Sequence, residues 1–161
     1  MGNLVKHSSD KITYKVIGLA MEVHSRLGPG LKEQIYQRAM EEALESENMI
    51  YEPQRQMEVY FGQRLVGLLF MDILVENCVV IELKALSNMV TNNELAQVIT
   101  YLKVGGYEIG LLLNFGRKFL QYKRIFPPNN VTEVTEEDLR FGVKVDPKYA
   151  KKRSMSDRYI R

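Results

Sequence analysis

Ile12, Val16, Ala20, Val23 and Leu27 recur at three- and four-residue intervals, the period that lines apolar side chains along one face of a helix. Ser8-Ser9-Asp10 offers N-caps to this first helix, and Gly28-Pro29-Gly30 ends it. A second helix is expected over about 31–47, burying Leu31, Ile35, Ala39 and Leu44. The period then drops to two. Met57, Val59 and Phe61 alternate with polar residues, Gly62-Gln63 suits a two-residue turn, and 65–75 continues as a strand apolar on both faces, interrupted only by Asp72. Glu76-Asn77 turns the chain into VVIELKAL at 79–86, another strand. A third helix is expected over about 91–103, with Leu95, Val98, Ile99 and Leu102 inward, stopped by Gly105-Gly106. Strands at 107–115 and 119–126, joined by Gly116-Arg117-Lys118, complete an α/β order of ααβββαββ.

The chain has 161 residues, 45% hydrophobic and 26% charged, which suits one globular domain. A formal charge of +2 does not by itself announce a nucleic-acid binder, so any basic patch has to be local. One stands at the end. From Lys144 to Arg161 seven basic residues face two acids, 7 − 2 = +5, with Lys151, Lys152 and Arg153 consecutive. We therefore expect a domain over 1–126 and a C-terminal extension with a basic tail over 127–161. A single cysteine, Cys78, allows no internal disulfide and no four-cysteine metal site. The first residues lack the apolar core of a signal peptide, and the apolar run at 109–113 is far short of the roughly 20 residues that span a bilayer. A cytoplasmic protein without membrane partners is expected.

VVIELKAL poses the chemical question. Side chains alternate across a strand, so Val80, Glu82 and Lys84 share one face while Ile81, Leu83 and Ala85 take the other. A solvated edge would explain the charges, but the apolar neighbours and the lone Asp72 in an apolar strand argue for a partnered cluster. Two explanations are open: a buried Asp72–Lys84 ion pair, or carboxylates sharing a hard divalent cation. The second requires register. A two-residue Glu76-Asn77 loop would set Asp72 opposite Ile81 and put the two carboxylates on opposite faces, whereas a three-residue loop including Cys78 pairs Asp72 with Glu82. A three-residue loop or a nearby bulge is expected, with Asn77 left-handed. Gln97 and Tyr101 share a face of the third helix opposite its apolar stripe, where they are either plain surface or an edge overhanging Lys84. Glu33, in the first turn of the second helix with Tyr36 one turn on, is either a dipole-favoured acid or a further site residue. His24 reads as structural. There is no Walker loop, no GxSxG elbow and no paired-histidine zinc motif.

Gly30-Leu31-Lys32-Glu33-Gln34-Ile35-Tyr36 fits the signature that names the GxxExxY protein family. EVHSRLGPG before it, and MDILV, VVIELKAL, AQVITYL and GLLLNFG after it, resemble that family's other blocks in the same order. The family is placed in the PD-(D/E)xK nuclease superfamily, so the resemblance implies a mixed β-sheet flanked by helices. It also implies roles: Asp72 as first-strand acid, Glu82 and Lys84 as the ExK pair, Glu33 as helical acid, and Gln97 and Tyr101 as the QxxxY element of exonuclease-like branches. Met71 stands where the superfamily name has proline. The expected function is a Mg²⁺- or Mn²⁺-dependent nuclease acting on DNA or RNA. Asp72, Glu82 and Glu33 would serve the metal, Lys84 the water and Gln97 the phosphate or Lys84, supported by Tyr36 and Tyr101. The alternatives are a non-cleaving nucleic-acid-binding module and a structural interaction protein on the same fold.

Overall fold

The computed structural model describes residues 2–127, with side chains from Ser9 onward. Its elements are α1 (Gly2–Leu27), α2 (Glu33–Ser46), β1 (Tyr51–Phe61), β2 (Arg64–Val75), β3 (Val79–Lys84), α3 (Asn92–Gly105), β4 (Ile109–Asn114) and β5 (Gln121–Ile125). The order is ααβββαββ. The strands form one mixed sheet in sequential order, antiparallel except for the parallel β3–β4 pair. A parallel pair needs a crossover, and α3 supplies it.

Alternation along β3 and β4 builds a core on each face of the sheet. Val79, Ile81 and Leu83 join Ile109, Leu111 and Leu113 under α1 and α2. On the other face Val80 and Leu112 meet Val98, Tyr101 and Leu102 of α3. Glu82 and Lys84 have the parity of Val80, so they lie on the α3 side. Thr91 caps α3 in a capping box with Glu94, and Gly106 closes it in the left-handed region at φ 65.

Three elements depart from the sequence pattern. Ser8-Ser9-Asp10 lies within α1 and does not start it; Ser9 is buried, and Thr13 Oγ1 donates back to Asp10 O at 3.0 Å. Short polar side chains can bond back onto a helix as well as cap one, so their presence did not fix its start. In α2 the inward residues are Tyr36, Met40 and Leu44, while Leu31 and Ile35 remain 37% and 43% exposed. The stripe is rotated by one residue because Tyr36 wins the interior. Its ring stacks on Phe115 at 4.7 Å, and its hydroxyl donates to Gly28 O at 2.5 Å and accepts from Leu31 N at 3.2 Å.

The third departure is in the β1–β2 hairpin. β1 begins at Tyr51, earlier than the alternating Met57 to Phe61 run, and tolerates Pro53 because it is an edge strand. β2 pairs with β3 only at Ile73, Leu74 and Val75. Its outer half is thus a two-stranded ribbon, so Leu65, Val66, Leu68 and Phe70 are exposed although they read as core. Lys151, Lys152, Arg153 and the rest of the basic tail lie outside the described residues. Among the described residues no helix is long and apolar enough to cross a membrane.

Tyr36→Phe keeps the stacking ring but strands Gly28 O and Leu31 N. It is expected to cost about 1–2 kcal/mol in urea denaturation, the loss typical of a buried hydrogen bond. An unchanged midpoint would mean that the hydroxyl does not hold the α1–α2 loop.

Candidate active site

The β2–β3 connection sets the geometry. Val75 pairs with Val79, leaving Glu76, Asn77 and Cys78 as a three-residue loop with Cys78 N donating to Val75 O at 3.0 Å. Glu76 and Asn77 are both left-handed, at φ 49 and 54. Continuing the register one step past Ile73–Ile81 brings Asp72 opposite Glu82. The backbone ladder stops at that step, and the Asp72 side chain replaces it: Oδ2 accepts Leu83 N at 2.7 Å.

Asp72 also marks a change of face. Leu69 and Met71 pack with the α3-side core, whereas Ile73 and Val75, of the same parity, pack under α1 and α2. Directly across on β1, between the pairs Pro53–Ile73 and Arg55–Met71, sits Gln54 with φ 49. A non-glycine residue held left-handed within a strand is strained by about 1–2 kcal/mol. Its amide hydrogen-bonds the Asp72 carboxylate and donates to Gln37 Oε1 at 3.0 Å; Gln37 in turn donates to Glu41. Gln54 lies ahead of the alternating Met57 to Phe61 run that marks β1 in the sequence, and Gln37, one turn on from Glu33 along the same edge of α2, gives no local sign of a partner on β1. Counted back from the Gly62-Gln63 turn with regular pairing, Pro53 would face Asp72; the bulge between Val59 and Tyr60, which no residue pattern announces, moves Gln54 into that place.

Glu82 is 2% exposed. Lys84 Nζ donates to its Oε1 at 2.6 Å, while its Oε2 is buried with no hydrogen-bond partner. Burial, then the Asp72 charge, push the Glu82 carboxyl up to about 7, against the pull of Lys84. Burial likewise raises Asp72, opposed by the Leu83 N–H, Lys84 and Gln54. For Lys84 burial works against the charge, but the Glu82 hydrogen bond and the carboxylates of Glu82, Glu33 and Asp72 prevail and hold the ammonium above its ordinary value. Lys84 is therefore bonded to Glu82, and Asp72 to the Leu83 backbone; the alternative of an Asp72–Lys84 pair is not what forms.

Glu33 reaches the cluster from the start of α2. Burial raises its pKa, Lys84 lowers it, Asp72 raises it again, and the Ala85 N–H donates to its carboxylate. Tyr101 is buried, not on an outer face, and its hydroxyl accepts from Gln97 Nε2 at 2.7 Å. Its pKa is pushed up to about 12 by burial and then by the charges of Glu82 and Asp72. Glu33, Asp72, Glu82, Lys84, Gln97 and Tyr101 thus converge, whereas Tyr36 lies in the core beneath the α1–α2 loop. His24 donates from Nε2 to Arg117 O at 2.8 Å, a structural bond.

Three carboxylates against one ammonium leave two negative charges when all are ionised, the complement of a divalent cation. Among the described residues no three Asp, Glu, His or Cys side chains form a ready-made metal cage. Asp72 and Glu82 with its orphan oxygen nevertheless suit Mg²⁺, which binds through one or two carboxylates and keeps several waters.

A family model described as the PD-(D/E)XK nuclease superfamily matches residues 10–125. The chain belongs to this superfamily. The crystal structure of SSO0001 resembles it with a TM-score of 0.51 at 20% sequence identity, covering 61% of this chain and 52% of that one. The chain thus spans about half the length of that protein, and the likeness is one of fold. No curated protein matches the chain.

Because the folded chain holds the Glu82 proton up to about pH 7 and the unfolded chain releases it near 4.5, metal-free stability should fall as pH rises between those values and level off above them. A shift of that size is worth about 3 kcal/mol. Glu82→Gln should flatten the profile and melt higher than wild type at pH 8 in chelator. Parallel profiles for the two proteins would disprove the burial cost.

Proposed function

We propose that this chain is a Mg²⁺- or Mn²⁺-dependent nuclease of the GxxExxY type, hydrolysing phosphodiester bonds of DNA or RNA with water as nucleophile. The observation that carries the reading is Glu82 Oε2, a carboxylate oxygen buried without a partner beside Asp72. An internal ion-pair scaffold would have no reason to leave it so, since an unsatisfied buried acceptor costs about 1–3 kcal/mol.

A bound divalent cation supplies Lewis acidity and lowers the pKa of water. Asp72 and Glu82 would hold it, with Glu33 adding or orienting a ligand. Lys84, fixed by Glu82, orients the attacking water and offsets charge growing on the phosphoryl oxygens. Gln97, positioned by Tyr101, donates to the phosphate. Gln54 holds the Asp72 carboxylate in place. Tyr36 supports indirectly, by fixing the loop that leads into Glu33. The reading places residues 1–126 as the nuclease domain in the cytoplasm, with Lys151, Lys152 and Arg153 of the extension gripping phosphates non-specifically.

Lys84→Ala should lower metal-dependent cleavage by about 10²–10⁴-fold, the range for a positioned proton-handling group, while Mn²⁺ binding by calorimetry persists. Asp72→Asn should lose both. Full cleavage by purified Lys84→Ala would defeat the assignment. Salt-sensitive nucleic-acid binding in chelator with no cleavage in Mn²⁺ would instead identify a binding module.

Gln54→Gly separates strain from function. Glycine adopts the left-handed conformation at little cost, so the variant should melt at or above the wild-type temperature. Mn²⁺ affinity should nonetheless fall severalfold as Asp72 loses its restraint. A variant that is stabilised and binds Mn²⁺ normally would show that Gln54 serves only the backbone.

A further inference from the structure

The turn between β4 and β5 is built more firmly than an ordinary solvated turn requires. Asn114 is fully buried; its Oδ1 accepts Leu86 N at 2.8 Å and Gly116 N at 3.2 Å, and its Nδ2 donates to Leu86 O and Asn88 O, both at 3.1 Å. Gly116 packs so closely on the neighbouring loop that a Cβ there would lie 2.4 Å from Ala85 C and Leu86 O. His24 holds the Arg117 carbonyl, and the Arg117 guanidinium meets Met89 Sδ.

This frame displays an unusual surface. Phe119 is 75% exposed, with Lys118 Nζ 5.4 Å from its ring centroid. Residues 85–91 and 115–120 contain no acid, and exposed Lys32 precedes Glu33 at the head of α2. Ala85, against which Gly116 packs, is also the residue whose N–H holds Glu33. The turn therefore lies one to two strand spacings from β3, about 5–10 Å, at the end where Lys84 emerges.

We propose that the Arg117–Lys118–Phe119 turn is a platform for an unpaired stretch of the substrate strand. Phe119 stacks on a nucleobase, and Arg117 and Lys118 hold the flanking phosphates. The proposal rests on the nuclease reading and deepens it, by naming a single-stranded segment as what the site receives. Charge decides the occupant: two cations, no acid and a rigid exposed aromatic complement a polyanion with π-faces, as in sequence-tolerant single-strand binding. A protein partner or a second copy of the chain would leave the cations unanswered.

The test uses the full chain and a fluorescein-labelled dodecanucleotide, single-stranded DNA or RNA, followed by anisotropy across a salt series in chelator. Phe119→Ala should weaken binding by about fivefold to a hundredfold without changing the salt slope, and Phe119→Trp should restore it. Lys118→Ala should flatten the log–log salt slope by about 0.7. Melting curves check that these exposed substitutions leave the fold intact. If Phe119→Ala binds like wild type, or Trp fails to rescue, the platform is wrong, while Mn²⁺-dependent cleavage of the same oligonucleotide by wild type keeps the nuclease reading. If wild type neither binds nor cleaves, both fall. Unchanged affinity together with loss of a dimer in sedimentation would assign the ring to a second copy and overturn the proposal.

Discussion

Where the β2–β3 ladder ends, a side chain takes over from the backbone: Asp72 accepts the Leu83 N–H that the ladder no longer pairs. A buried N–H must find an acceptor, and here the acceptor carries a charge. That substitution lets two strands separate without leaving an orphan donor, and it fixes one Asp72 oxygen beside Glu82. The three-residue loop at Glu76–Cys78 sets the register that makes this possible, and Gln54 takes up the strain on the opposite strand. Moving the register by one residue would send Asp72 to the other face and dissolve the cluster.

The cluster itself opposes folding. Glu82 is buried with one satisfied oxygen and one bare, and its neighbours Asp72 and Glu33 add repulsion. The two apolar layers on either side of β3 and β4 bear that cost, and they are dense where the charges are densest: Val79, Val80, Ile81 and Leu83 are fully buried around Glu82. Stability is thus held in the sheet interior and surrendered at the strand end.

Much of this could be read from the chain. The element order followed from period and turn residues, and the loop length followed from requiring two carboxylates to share a face. Apolar runs were less informative. The pattern of β2 reads as buried throughout, yet burial depends on whether a third strand lies alongside, which no local pattern records. In α2 both Ile35 and Tyr36 could face inward, and the choice turned on Phe115, distant in sequence, offering a ring to stack on. Gln54 was missed for a related reason. Its polar side chain in a polar stretch is unremarked until both the full hairpin and its bulge are known, and its backbone conformation has no signature in a glutamine. The shared polar face of Gln97 and Tyr101 reads equally as plain surface or as an edge over Lys84, and the structure takes the second, with the Tyr101 phenol buried because the Gln97 amide satisfies its oxygen.

The same distortion at Gln54 has a consequence at the sheet margin. β1 is an edge strand of eleven residues, long enough to invite another chain to add itself to the sheet. Pro53 has no N–H to offer such a strand, Gln54 turns its peptide out of the extended path, and the register slips again between Val59 and Tyr60. Between these two irregularities regular pairing runs only from Arg55 to Val59. The kink beside the Asp72 carboxylate thus also shortens the stretch of edge along which another strand could pair.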